Sequence, residues 1–378
     1  MEQSSLSPSP NRTGTTRVLF VSLWELGWKT WASQMEKYSE NFPGLEAVHL
    51  RVTRPRWVWA LAKEWPRPIG RALVSSKRSW EWIMKREVIP AIASGKFDVV
   101  FVSSQIMAPT LIEPCRRAGA RLAVAMDVTG PAYQRDLLGR EVPPSQTWDD
   151  ERRIYDATDL YVPMSSWIAD SLEHDFGVPV EQICVTPPSV TIPSTVPSSS
   201  QPKSELPRIL FCGNDWERKG GPRLVRWHQE LWSQKAELHI VSGNVSASEL
   251  ALPGVFHHGF ISYERLTGEM LPSSDIFCLP TRNDMSPFAV SEAQANSLPT
   301  VSSRIGGLSD LVLEGETGFL LPPEDEDGFK EAITRLIDDP ALRATMREAA
   351  RAHADEHLDV AKVLPRLFER LIALKAEI

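Results

Sequence analysis

Cysteine is scarce in this chain: 378 residues hold four, Cys115, Cys184, Cys212 and Cys278, with no C-x-x-C pair. That spacing excludes a disulfide framework and a cysteine zinc site, and it suits a reducing, cytoplasmic setting. Long apolar runs are also missing, since none approaches the roughly 20 residues that span a bilayer. The opening MEQSSLSPSPNRTGTT has no apolar signal core, so residues 1–16 are expected to form a disordered tail. Positive charge is not in excess: 41 Lys+Arg against 49 Asp+Glu give a formal net charge of -8, which excludes a general nucleic-acid binder. No metal-ligand pattern emerges from the histidines, because adjacent His257 and His258 on a short strand point to opposite faces.

What is present is a periodic alternation. Apolar runs at 17–23, 98–103, 121–126, 159–163 and 182–186 are separated by helix-length segments, as in parallel strands buried on both faces. After a Ser/Pro-dense stretch at 191–207, a second series runs through 208–212, 237–241, 255–259, 275–280 and 299–303. Helices are expected at about 222–234, 287–297, 326–337, 341–355 and 360–376. The organisation predicted is two doubly wound α/β domains, 17–190 and 208–358, joined by the linker 191–207. A final helix in 359–378 is expected to pack back toward the first domain. Ligands bind such sheets at the carboxyl ends of the strands, facing the cleft.

The most informative stretch begins at Asp275, DIFCLPTRNDMSPFAVSEAQANSLPTVSSRIGGLSDLVLEGETGFLLPP. A buried strand ends at Pro280, a polar loop holds Asp284, and Ser286-Pro287 opens a helix with Ser as its cap. That helix start offers the amides of Phe288, Ala289 and Val290 to an anion, and Glu292 lies near the same end to accept hydrogen bonds from sugar or ribose hydroxyls. A Gly306-Gly307 turn follows the next strand. The second anchor, RILFCGNDWERKGGPRLVRWHQEL, carries Arg218 and Lys219 before a helix, where two cations can clamp a diphosphate.

These stretches resemble the donor-binding half of retaining family 4 (group 1) glycosyltransferases, enzymes of the GT-B fold with two Rossmann-like domains around a cleft. The family's Glu-x7-Glu motif reads here Asp284-x7-Glu292, and its Leu-Pro-x-Val strand, Gly-Gly loop and Glu-Gly-x-x-Gly-x-Leu-x-Pro-Pro turn follow in order. The resemblance implies that Glu292 binds the nucleotide ribose and Asp284 the donor sugar. Lys219 matches the family lysine. Asn214, after Gly213, stands where the family has Arg, so Arg218 is the candidate for that role, and Asp310 replaces a more usual Glu. The backbone of His258, Gly259 and Phe260 falls where the family grips the base, and Ser286 and Pro287 belong to the same donor site. In the first half Gly27 takes the place of a phosphate-contacting glycine, and Asp127 that of a strand-end histidine near the reacting centre.

The expected activity is thus transfer of a hexose, with retention, from a nucleotide-sugar, UDP before GDP, to a hydroxyl of a carbohydrate, lipid-linked or small-molecule acceptor. Asp127, Arg218, Lys219 and Asp284 are the candidate catalytic residues. No metal and no cofactor beyond the donor are implied. Residues 51–86 hold ten Lys/Arg and two acids, +8 in all, with Trp57, Trp59, Trp65, Trp80 and Trp82 among them. Such a face suits an anionic acceptor or the inner surface of an anionic membrane; tryptophans buried behind a solvated helix face are the alternative. A non-catalytic nucleotide-sugar-binding scaffold and a nucleotide-sugar hydrolysing epimerase are the rival functions.

Overall fold

A computed structural model describes residues 14–54, 77–140, 149–194, 205–246 and 248–376. Five strands, β1 (Thr16–Leu23), β2 (Leu45–Val52), β3 (Val99–Val102), β4 (Arg121–Met126) and β5 (Leu160–Pro163), form one parallel sheet in the order β2-β1-β3-β4-β5. Six more, β6 (Arg208–Cys212), β7 (Glu237–Val241), β8 (Val255–His257), β9 (Ile276–Leu279), β10 (Thr300–Ser303) and β11 (Gly318–Leu321), form a second in the order β11-β10-β9-β6-β7-β8. The strand order reverses between β1 and β3 in the first sheet and between β6 and β9 in the second. At each reversal the loops diverge to opposite faces and leave a crevice at the carboxyl ends. Strands β3, β5 and β9 are buried along their whole length and β4 from Leu122 onward, which is why they read as unbroken apolar runs.

Several expectations are corrected. β1 begins at Thr16, inside the stretch expected as tail, because the Thr16 N–H donates to Gly44 O at 2.8 Å. Residues 182–186 lie along β5, with Cys184 and Thr186 donating to Tyr161 and Pro163 carbonyls, yet form no strand: Pro163 has no N–H to return, and Pro187-Pro188 follows. β2 and β11 went unmarked, β2 because an edge strand reading LEAVHLRV carries Glu46, His49 and Arg51 among its apolar residues. Of the linker, 195–204 lies outside the described residues, as does 55–76 of the basic segment, with Trp57, Trp59 and Trp65. Trp80 is buried in the first-domain core, whereas Trp82 is exposed with the Arg86 guanidinium over its ring.

The chain passes between the domains twice, and the two passages are hydrogen-bonded to each other. Val190 N–H donates to Leu358 O at 2.9 Å and Val360 N–H to Val190 O at 3.0 Å. Past that crossing, the helix Val360–Ala376 returns to the first domain and buries Leu364, Leu367, Phe368 and Leu371 against Phe20, Trp31 and Phe101. Phe368 meets Phe20 and Phe42 edge-on. The last helix is therefore part of the first domain's core, so Phe368→Ala is expected to remove about 3 to 5 kcal/mol of that domain's stability. Urea titration followed by near-UV circular dichroism would read this as a lower midpoint.

Candidate functional site

Two loops meet at the β6/β9 reversal. The loop after β6 runs from Gly213 to the helix Gly221–Trp227, and that after β9 from Pro280 to the helix Phe288–Ala295. They are pressed together: Gly220 takes φ +81, and a Cβ there would lie 2.0 Å from Pro280 O. The same carbonyl accepts from buried Arg223 (Nε, 3.0 Å), which anchors the end of β9 from beneath. The Lys219 stem crosses the space that Gly213 leaves by having no side chain.

At the junction Lys219 Nζ donates to Asp284 Oδ2 at 2.8 Å and Arg218 Nη1 lies 3.4 Å from the same oxygen. Arg218 also donates to Asp215 (2.9 Å) and to Asn283 O. The two expected diphosphate cations therefore converge, and in this state both are engaged by a carboxylate that is itself buried. Behind them Glu292 is also buried. Burial pushes its carboxyl up to about 8, and the Lys219 ammonium only partly offsets that rise. A buried acid without its charge neutralised is held mostly as the neutral form near pH 7.

Two neighbours of Glu292 were not apparent in the sequence. Cys212, at the end of β6, is pushed up to about 12 by burial, reinforced by Glu292. The Tyr263 phenol is likewise raised by burial and then by Glu292. The only sequence signal for Tyr263 is its place directly after Ser262, which caps the short helix following the Gly259-Phe260 loop.

The helix start differs from expectation. Its cap residue is Pro287 with no side-chain cap bond, because Ser286 is turned under the Gly306-Gly307 turn, where its hydroxyl is buried without a partner. Val290 N–H is taken by Pro287 O at 3.0 Å, so the helix start offers the amides of Phe288 and Ala289 rather than three. Asn214 does not face the cations; its Oδ1 accepts from Gly243 N–H and it joins the loop after β7. His257 Nε2 donates to Ser242 O at 2.9 Å, whereas His258 pairs with His239 at 3.0 Å. Burial, with the neighbouring His239, lowers His258 to about 4, so it is neutral at pH 7. Gly259 takes φ +64 and Phe260 is 79% exposed beside them.

The first domain supplies the opposite wall. A Cβ on Gly27 would lie 3.4 Å from the Phe288 ring, which packs against both domain cores. Asp127 follows β4. Burial pushes its carboxyl up to about 6, and the charge of Asp284 across the cleft adds to the rise. Asn283 donates to the Tyr133 hydroxyl at 3.4 Å, another contact between domains at this point. The candidates Gly27, Asp127, Arg218, Lys219, Asp284, Phe288 and Glu292 thus gather around one cleft, with His258, Gly259 and Phe260 at its outer end along β8.

The chain is similar in sequence and in fold to known glycosyltransferases. Residues 206–339 match the family model described as Glycosyl transferases group 1. The chain is 26% identical over 283 residues to the D-inositol 3-phosphate glycosyltransferase of Arthrobacter sp. (strain FB24), covering 69% of this chain and 67% of that protein. It is 33% identical over 255 residues to that of Corynebacterium urealyticum, covering 60% of each. In fold it is similar to the sucrose-phosphate synthase of Thermosynechococcus elongatus, with a TM-score of 0.72 at 16% identity over 95% of this chain and 99% of that one. Anabaena HepE in complex with UDP gives 0.68 at 16% identity over 95% and 100%.

The raised Glu292 carboxyl has a measurable consequence. A group whose folded-state pKa lies above its unfolded value binds protons more tightly when folded, so stability falls as pH rises from about 4.5 to about 8. Glu292→Gln is expected to flatten that part of the profile, its melting temperature exceeding wild type at pH 9 by more than at pH 5. Thermal unfolding at pH 5, 7 and 9 checks it.

Proposed function

We propose that this chain, a group 1 glycosyltransferase of the GT-B fold, moves a hexose from UDP-hexose to a hydroxyl acceptor with retention of anomeric configuration. The observation that carries the reading is the convergence of Lys219 and Arg218 on one point at the β6/β9 reversal, beside the open start of the Phe288–Ala295 helix. When a diphosphate enters, its oxygens replace the Asp284 carboxylate as partners of the two cations. Asp284 is then released to accept a hydrogen bond from a donor-sugar hydroxyl. Lys219, Arg218 and the Phe288 and Ala289 amides meet the charge that grows on the departing diphosphate, and that stabilisation needs no metal ion.

Glu292 holds the ribose through its hydroxyls, and the backbone at His258–Phe260 holds the base. UDP is the favoured nucleotide because a similar fold is recorded with UDP bound. Asp127 lies on the acceptor side, and its carboxyl, raised to about 6, is suited to orient a hydroxyl and to share its proton. The acceptor is anionic or lipid-linked. The +8 of residues 51–86 supports this, as does the inositol phosphate in the names of the relatives. A cytoplasmic enzyme resting on the inner membrane face fits the same charge.

Lys219→Ala is expected to lower donor turnover by about 100-fold or more, the scale of losing one preorganised donor to a transition-state charge, in a protein that still folds but melts lower, because buried Asp284 keeps only Arg218 as a partner. Release of UDP from UDP-glucose, UDP-galactose and UDP-N-acetylglucosamine measures it. A folded Lys219→Ala protein with full turnover would refute the role, and a wild-type protein that binds UDP yet never releases it from any donor would favour the scaffold reading.

A further inference from the structure

A two-pronged polar contact between the domains lies away from the residues gathered at the cleft. Asp310 stands in the short helix Leu308–Leu311 of the second domain, after the Gly306-Gly307 turn. Its two carboxylate oxygens accept, each at 2.5 Å, from the N–H and the hydroxyl of Ser166 in the first domain. Ser166 is the first residue of the helix Ser166–Phe176, whose own cap, Ser165, makes no capping bond and whose hydroxyl is buried without a partner. The positive end of a first-domain helix is therefore capped by a carboxylate from the other domain.

Both ends of this contact lead directly to the cleft. On the second-domain side Gly306 takes φ +53, and a Cβ there would lie 2.5 Å from Asp284 O, while Gly307 N–H donates to Met285 O at 2.6 Å. The turn carrying Asp310 is thus the floor of the Asp284 loop. On the first-domain side the Ser166–Phe176 helix holds the segment that follows Asp127, the cap Thr129 and the helical turns Gly130–Leu137, through Thr129 to Ser171 (2.6 Å), Asp136 to Trp167 (2.7 Å) and Arg135 to Asp175 (3.1 Å). That segment carries Tyr133, which meets Asn283 next to Asp284. Moving Ser166 relative to Asp310 moves one catalytic wall relative to the other.

We propose that Asp310 is a positioning residue, a latch whose carboxylate caps the Ser166–Phe176 helix and sets the distance between the Asp127 and Asp284 walls. The proposal rests on the transferase reading for its kinetic effect, but not for its structural one. The nucleotide site is built mainly within the second domain, with Gly27 its one contribution from the first, so the latch affects transfer far more than nucleotide affinity.

Two variants approach the contact from opposite domains. Asp310→Ala removes the acceptor. Ser166→Pro removes both donors at a first helical position, where proline is favoured, and Ser165 already has the extended backbone that a residue before proline needs. Each is expected to enlarge the radius of gyration by small-angle X-ray scattering. Each should also lower kcat for transfer by about tenfold or more, the factor carried by lost charge-assisted hydrogen bonds, with UDP affinity by calorimetry within about twofold. The double variant should be no worse than either single one. Wild-type scattering from both single variants, or losses that add in the double, would overturn the latch. If wild type transfers no sugar from any donor, the transferase reading fails while scattering still decides the latch.

Discussion

Asp284 is the charge on which the site is organised. It sits buried at the one place in the second sheet where neighbouring strands send their loops apart, and a lone carboxylate there would be costly. Lys219 and Arg218 neutralise it, and to reach it the loop after β6 must fold down onto the end of β9. That descent needs Gly213 to leave room for the Lys219 stem and Gly220 to turn against the Pro280 carbonyl. Arg223 then ties that carbonyl to the helix that follows. One electrostatic requirement thus accounts for the glycines, the cations and the buried guanidinium together.

The same cluster explains why the site is preorganised without being sealed. In the proposed transferase, two cations paired with an internal acid hold the geometry a diphosphate needs, and the more highly charged diphosphate displaces that acid. Between the domains the contacts at the cleft are few and mostly polar: Asp310 with Ser166, Asn283 with Tyr133, and Phe288 against Gly27. Such an interface permits relative motion. The large apolar burial lies elsewhere, in the Val360–Ala376 helix, which binds the chain end to the first domain after the paired crossing at Val190 and Asp359.

Much of this was legible in the residues. Buried parallel strands announce themselves as apolar runs, so β4, β6 and β7 fall where the sequence puts them, and the spacing of Asp284 and Glu292 placed both at one strand-to-helix junction. Edge strands such as β2 carry polar side chains and blend into their surroundings. Ser286 was misread as a cap because local sequence rules cannot see the Gly306-Gly307 turn that packs on it from 20 residues later in the chain. Tyr263 has only its place after Ser262 as a local signature and the contact of Asp310 with Ser166 has none, since both depend on which loops and which domains come to face each other.

The central claim is that the second domain supplies most of the nucleotide site, with Glu292 on the ribose, while Asp127 of the first domain serves the acceptor. Calorimetric titration of UDP, with GDP in parallel, into wild type, Glu292→Gln and Asp127→Asn tests it most directly. The account predicts that UDP binds wild type, that Glu292→Gln weakens binding by about tenfold or more, and that Asp127→Asn leaves it unchanged. UDP binding equally to wild type and Glu292→Gln, or no binding of either nucleotide to wild type, would contradict it.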